Sequence, residues 1–199
     1  MTKRWPALML LVAALLAGCA APPAASPGAA PAPAAGTVQW QYVRSTSYEA
    51  AQPGLGVSHR YQSELGWVDV YVYGMKRSDW AAGVADPEFG EHFQSAVEEV
   101  RLAGTRGVYA KVDVGPVSDE LIDGQAFRRV SFRVLHAQSR KTYDSFTYLT
   151  GRNGRLLKYR MSFVTPAPAN LDAIAREFIE RNLRSGPDMP RASHPLLSI

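Results

Sequence analysis

The dipeptide Asn153-Gly154 constrains this chain more than any other feature, because it lies between two long runs of alternating side chains. Asn-Gly favours the positive backbone angles of a type I′ turn, whose twist matches that of two antiparallel strands. A two-residue loop there pairs Arg152 with Arg155, Tyr148 with Tyr159 and Phe146 with Met161. Thr147 then opposes Arg160, and Leu149 opposes Lys158. Apolar partners meet apolar ones on one face, and mostly polar partners meet on the other. A slip of one residue would spoil this match. The sequence therefore predicts a hairpin of strands near 142–150 and 155–165.

The same alternation predicts strands at 38–43, 57–61, 67–73, 108–114 and 126–135. Val68, Val70 and Val72 share one face, and Trp67, Asp69, Tyr71 and Tyr73 share the other. Val108, Ala110, Val112 and Val114 repeat the inward pattern. Two helices punctuate the strands. Asp86 stands as the N-cap of the first, with Pro87 at the first helical position, Glu88 in the first turn and Gly104 as the stop. Phe89, Phe93, Ala96, Val97 and Val100 form its apolar stripe. The second, over 171–183, aligns Leu171, Ile174, Ala175, Phe178, Ile179 and Leu183, and Gly186-Pro187 ends it.

The expected fold class is α+β: a mainly antiparallel sheet of about seven strands, in the order βββ-α-ββββ-α, with two amphipathic helices packed on its apolar face. The turn Tyr148-Leu149-Thr150-Gly151-Arg152-Asn153-Gly154, the strand after it and the closing helix resemble the PsbP/Mog1/DcrB-like fold group. The resemblance implies helices packed around an antiparallel sheet, and it leaves function open because members of the group do unrelated things.

The N-terminus carries an address. Lys3 and Arg4 precede an apolar run from Ala7 to Ala17. As a helix that run rises about 16 Å, roughly half of a ~30 Å hydrocarbon core, too short for a stable span but suited to a signal peptide. It ends in Leu16-Ala17-Gly18-Cys19, which resembles the lipobox of bacterial lipoproteins. The resemblance implies cleavage before Cys19, lipidation of its thiol and anchoring in a membrane; Ala20, where aspartate would signal retention in the inner membrane, implies the outer membrane facing the periplasm. Cys19 is the only cysteine in 199 residues, so no disulfide supports the fold. Residues 20–36 are almost entirely Ala and Pro and uncharged, the composition of an extended tether. The expected organisation is 1–18 signal peptide, 19–36 lipidated cysteine and tether, 37–184 one domain, and 185–199 a loose tail. Without Lys3 and Arg4 the 22 basic residues become 20 against 18 acidic ones, a balance that does not favour nucleic acid.

Motifs of chemistry are absent. His59, His92, His136 and His194 stand at no zinc-ligand spacing. No nucleophile elbow or phosphate loop occurs, no cofactor is implied, and Asp119, Glu120 and Asp123 lack the spacing of a calcium loop. One surface remains. If the valines face the helices, the opposite sheet face carries Trp67, Tyr71, Tyr73, Tyr109, Lys111, Arg129, Arg133, Lys158 and Arg160. A short loop near 138–141 would set Phe132 opposite Phe146 and Arg133 opposite Ser145, gathering the basic residues on one side. Cations among aromatics suit anionic or planar ligands, unless a helix covers that face. The expectation is a non-catalytic, lipid-anchored binding or scaffold module of the cell envelope, contacting a partner protein or an anionic glycan or lipid. An envelope hydrolase or transferase and an inhibitor or immunity lipoprotein are the alternatives.

Overall fold

A computed structural model describes residues 38–186. The expected signal peptide, Cys19, the expected tether and most of the expected tail, with His194, lie outside the described residues. Seven strands and two helices follow in the expected order: β1 Gln41–Ser47, β2 Val57–Ser63, β3 Gly66–Tyr73, α1 Phe89–Thr105, β4 Tyr109–Ile122, β5 Gln125–His136, β6 Thr142–Arg152, β7 Arg155–Val164 and α2 Leu171–Ser185. They form one antiparallel sheet in the spatial order β1-β2-β3-β7-β6-β5-β4. The chain thus lays down one three-stranded edge, crosses by α1 to the far edge, and returns inward to close beside β3.

The β6–β7 hairpin has the register expected from Asn153-Gly154, with Arg152 opposite Arg155, Tyr148 opposite Tyr159 and Phe146 opposite Met161. Asn153 and Gly154 take φ values of 52° and 72°, as a type I′ turn demands. Gly154 is also required by crowding, since a Cβ there would stand 2.1 Å from the Ser78 carbonyl oxygen.

The helices do not share a face. α2 packs with Val68, Val70, Val72, Tyr159, Met161 and Phe163. α1 packs with Tyr73, Val130, Phe132, Val134, Leu149 and Leu156. Neighbours in one strand point to opposite faces, so Leu156 and Leu157, or Val72 and Tyr73, serve different cores. The sheet is the middle of three layers. Each fully buried apolar side chain, such as Phe163 or Phe93 at 0% exposure, contributes roughly 1.5–3 kcal/mol by leaving water.

Two-sided burial corrects one inferred register. Phe132 faces Ser145, Ser131 faces Phe146, and Arg133 faces Asp144, one residue from the arrangement that set Phe132 opposite Phe146. Phe132 belongs to the core under α1 and Phe146 to the core under α2, so nothing drives them together. Smaller differences lie at the ends. β1 starts later than expected, leaving Val38 and Trp40 as packing residues ahead of it, with the Trp40 ring 5.2 Å from Phe178. Val108 lies outside β4 and is exposed, while β4 runs on to Ile122 past irregularities at 109–111 and 114–117. α1 begins at Phe89, not Pro87: the Asp86 carboxylate accepts the Glu88 N–H at 3.0 Å and holds the turn before the helix. α1 also runs past Gly104, and Gly107 takes the positive φ of 78°. α2 continues two residues beyond 183, to Ser185.

Candidate functional site

Register alone places the polar residues under α1. Across β2, β3, β7 and β6, Arg60, Asp69, Arg160 and Thr147 stand opposite one another in a row. The next row on the same face is Ser58, Tyr71, Lys158 and Leu149, and the row on the other side is Gln62, Trp67, Ser162 and Ser145. This half of the face is polar, whereas the half under Phe89, Phe93 and Val97 is apolar.

Helix α1 turns this polar half into a cleft. Ala96, Glu99, Val100 and Ala103 recur at helical spacing and line it from above. The alanines are too short to fill the space over Lys158 and Arg160, and a cleft of about 290 Å³ results. Trp67, Tyr71 and Tyr109 supply its aromatic walls, and Thr147 and Ser162 its hydroxyls.

The charges are unequally satisfied. Arg60 and Asp69 form a two-bond pair, Nε to Oδ1 at 2.8 Å and Nη2 to Oδ2 at 2.6 Å, and this raises the Arg60 pKa. Lys158 Nζ lies 3.3 Å from the Glu99 carboxylate and 4.8 Å from the Tyr71 ring. Its side chain is 15% exposed, so this pair ties α1 to the sheet from a largely covered position. Burial raises the Tyr71 pKa, with Asp69 adding to it, so its hydroxyl stays neutral. Arg160 differs. Its guanidinium sits over the Phe132 ring at 5.0 Å and is attracted by the nearby Tyr109. Among the described residues no carboxylate comes within 4.0 Å of it. Burial lowers its pKa, the mark of a cation held where charge is costly. Its cross-strand neighbour Asp69 is already committed to Arg60.

Of the residues proposed from sequence, Trp67, Tyr71, Tyr109, Lys158 and Arg160 come together in this cleft. Tyr73 is on the same face but buried, its hydroxyl 2.8 Å from His92 Nε2. Arg129, Arg133 and Lys111 are not part of it. The one-residue change of register turns Arg129 and Arg133 to the α2 face, where Arg129 pairs with Glu120 and Asp172, and Arg133 lies 3.8 Å from Asp144. Lys111 is exposed at the β4 edge and pairs with Asp113 at 2.7 Å. Sequence reasoning missed Arg60 and Glu99. Alternation with Asp69 signals the face of Arg60 only once the β2–β3 register is known, and Glu99 lies outside the apolar stripe of α1, so helical periodicity does not point it at the sheet.

The remaining candidates are engaged in structure. Asp119 bonds Arg128, Glu120 bonds Arg129 and Arg176, and Asp123 lies near Arg184, so these carboxylates tie β4 and the turn after it to β5 and α2. The described histidines are dispersed: His59 with Ser45 at 2.6 Å, His92 with Tyr73, and His136 accepting the Ser139 N–H. Burial and then Lys158 lower the His92 pKa. Among the described residues no three His, Cys, Asp or Glu side chains group to hold a metal, and no helix is long and apolar enough to cross a membrane.

The sequence matches no protein-family model and no curated protein. Among solved structures it is similar to the solution structure of cyanobacterial PsbP (CyanoP) from Synechocystis sp. PCC 6803, at 15% identity and a TM-score of 0.41, over 82% of this chain and 97% of that one.

Proposed function

We propose that this protein is a lipid-anchored module of the cell envelope that binds an anionic envelope component, without catalysis, in the cleft between α1 and the sheet. The observation that carries the reading is Arg160, a half-buried cation inside a cleft with no carboxylate partner among the described residues. Folding puts a charge there at a cost, and an incoming anion offsets that cost. Lys158 beside it and the aromatic walls add attraction and shape. The anchor reading rests on Leu16-Ala17-Gly18-Cys19 after a short apolar run, and the Ala/Pro segment supplies the reach.

Two experiments test this. The full chain, purified in neutral detergent, is passed over immobilised polygalacturonate and over neutral dextran. Retention on the anionic matrix alone, lost in Arg160→Met, is expected; equal retention by the variant removes the cleft from the reading. Separately, Cys19→Ser is expected to abolish incorporation of labelled palmitate and release the chain from the membrane fraction. A variant that stays lipidated and membrane-bound would refute the anchor.

A further inference from the structure

We infer that the ligand of this cleft is a small, singly charged oxyanion, a carboxylate or a phosphodiester, carried on a compact group about the size of one sugar. This rests on the reading of the cleft as an anion site and deepens it. Three observations lead there.

Charge is the first. Arg60, Lys158 and Arg160 line the cleft with Asp69 and Glu99, three cations against two carboxylates. Both carboxylates are already paired, Asp69 with Arg60 and Glu99 with Lys158. One positive charge is left over, and it is localised on Arg160. A monoanion neutralises it. A dianion would leave a negative charge in a covered site beside Asp69 and Glu99, where like charges repel strongly.

Geometry is the second. A guanidinium offers paired N–H donors in a plane, and an oxyanion with two equivalent oxygens matches that fork. Phe132 backs one face of the Arg160 guanidinium at 5.0 Å and Tyr109 lines the cleft with it, which limits the orientations its donors can take. The neutral Tyr71 hydroxyl and the Thr147 and Ser162 side chains line the same cleft, suiting a ligand that also carries hydroxyls.

Size is the third. At about 290 Å³ the cleft lies at the low end of small-molecule sites. The helix above it stops a flat protein surface from reaching Arg160, so the ligand enters as a single group, free or at the end of a larger molecule.

The test is calorimetric titration of the full chain in neutral detergent with four probes: D-glucuronate and glycerophosphoglycerol as monoanions, glucose 6-phosphate as a dianion, and glucose as the uncharged control. Both monoanions, or one of them, are expected to bind at least tenfold more tightly than glucose and no more weakly than glucose 6-phosphate. Whichever of the two binds more tightly identifies a carboxylate or a lipid-headgroup phosphodiester as the source. Arg160→Met is expected to lower that affinity at least tenfold, and Ala103→Phe to abolish it by filling the cleft while all charges remain; circular dichroism checks that each variant folds. Tighter, Arg160-dependent binding of glucose 6-phosphate overturns the monoanion assignment and leaves the anion-binding cleft standing. Glucose binding as well as the monoanions, monoanion binding indifferent to both substitutions, or no binding of any probe overturns the inference and the cleft reading together.

Discussion

Replacing Arg160 with methionine should make the protein more stable while it loses its ligand, and the size of the effect follows from the surroundings of the side chain. Methionine keeps most of the unbranched stem and its contact with the Phe132 ring, and it removes the charge. What is lost is a cation–π contact at 5.0 Å, worth about 0.5–1 kcal/mol, and the attraction of the nearby Tyr109, worth at most about 1 kcal/mol. What is recovered is the desolvation of a guanidinium with no carboxylate of the described residues within 4.0 Å, several kcal/mol for a fully buried ion and roughly half of that for one partly open to solvent. The balance favours the variant by about 1 kcal/mol, which raises Tm by roughly 2–4 °C in a domain of this size. Urea denaturation followed by Trp fluorescence, with the full chain in neutral detergent, measures it directly. A loss of 2 kcal/mol or more would refute the reasoning. Arg160 would then be satisfied by its surroundings and serve the fold, and an anion would find no uncompensated charge to pair with.

Further substitutions test the two cores and the turn. Phe178→Ala should cost about 3–5 kcal/mol, because its buried ring contacts Trp40, Tyr61 and Tyr159, and chemical denaturation will show a matching fall in midpoint. Tyr159→Phe should cost about 1–2 kcal/mol by leaving the buried Asn182 Oδ1 without the hydroxyl that donates to it at 2.8 Å; a double-mutant cycle with Asn182→Leu isolates that bond. Gly154→Ala should destabilise by more than the ~1–2 kcal/mol of left-handed strain, since its Cβ also meets the Ser78 carbonyl, and thermal melting will register it. His92 titrates below its ordinary value of 6.5 because burial and Lys158 disfavour its charge. The unfolded chain therefore takes up the proton first. The stability His92 contributes is fully present above 6.5 and is lost as pH falls through that value toward the folded pKa. Relative to His92→Gln, wild-type stability should fall on acidification through this range, and parallel urea midpoints from neutral to mildly acidic pH will show whether it does.

Local chemistry by itself determined the elements, their order and one register. Asn153-Gly154 needs only its own backbone angles to specify a two-residue turn, and every pairing along β6 and β7 then follows. The apolar stripes of α1 and α2 are equally local, and their buried residues coincide with the expected ones, with Asn182 added on α2. Tertiary structure decided the rest. No dipeptide of the Asn-Gly kind specifies a turn in the 137–141 loop, so the β5–β6 register came from which core claims each side chain. An alternating strand shows that it has two faces and not whether the second is wet or covered. Placing α1 and α2 on opposite faces sent Phe132 to one core and Phe146 to the other, and with them moved Arg129 and Arg133 away from Arg160. The cleft exists because α1 lays Ala96 and Ala103 over a row of charges contributed by strands far apart in sequence. Such a site depends on distances between elements, and side-chain periodicity within one element carries no information about those.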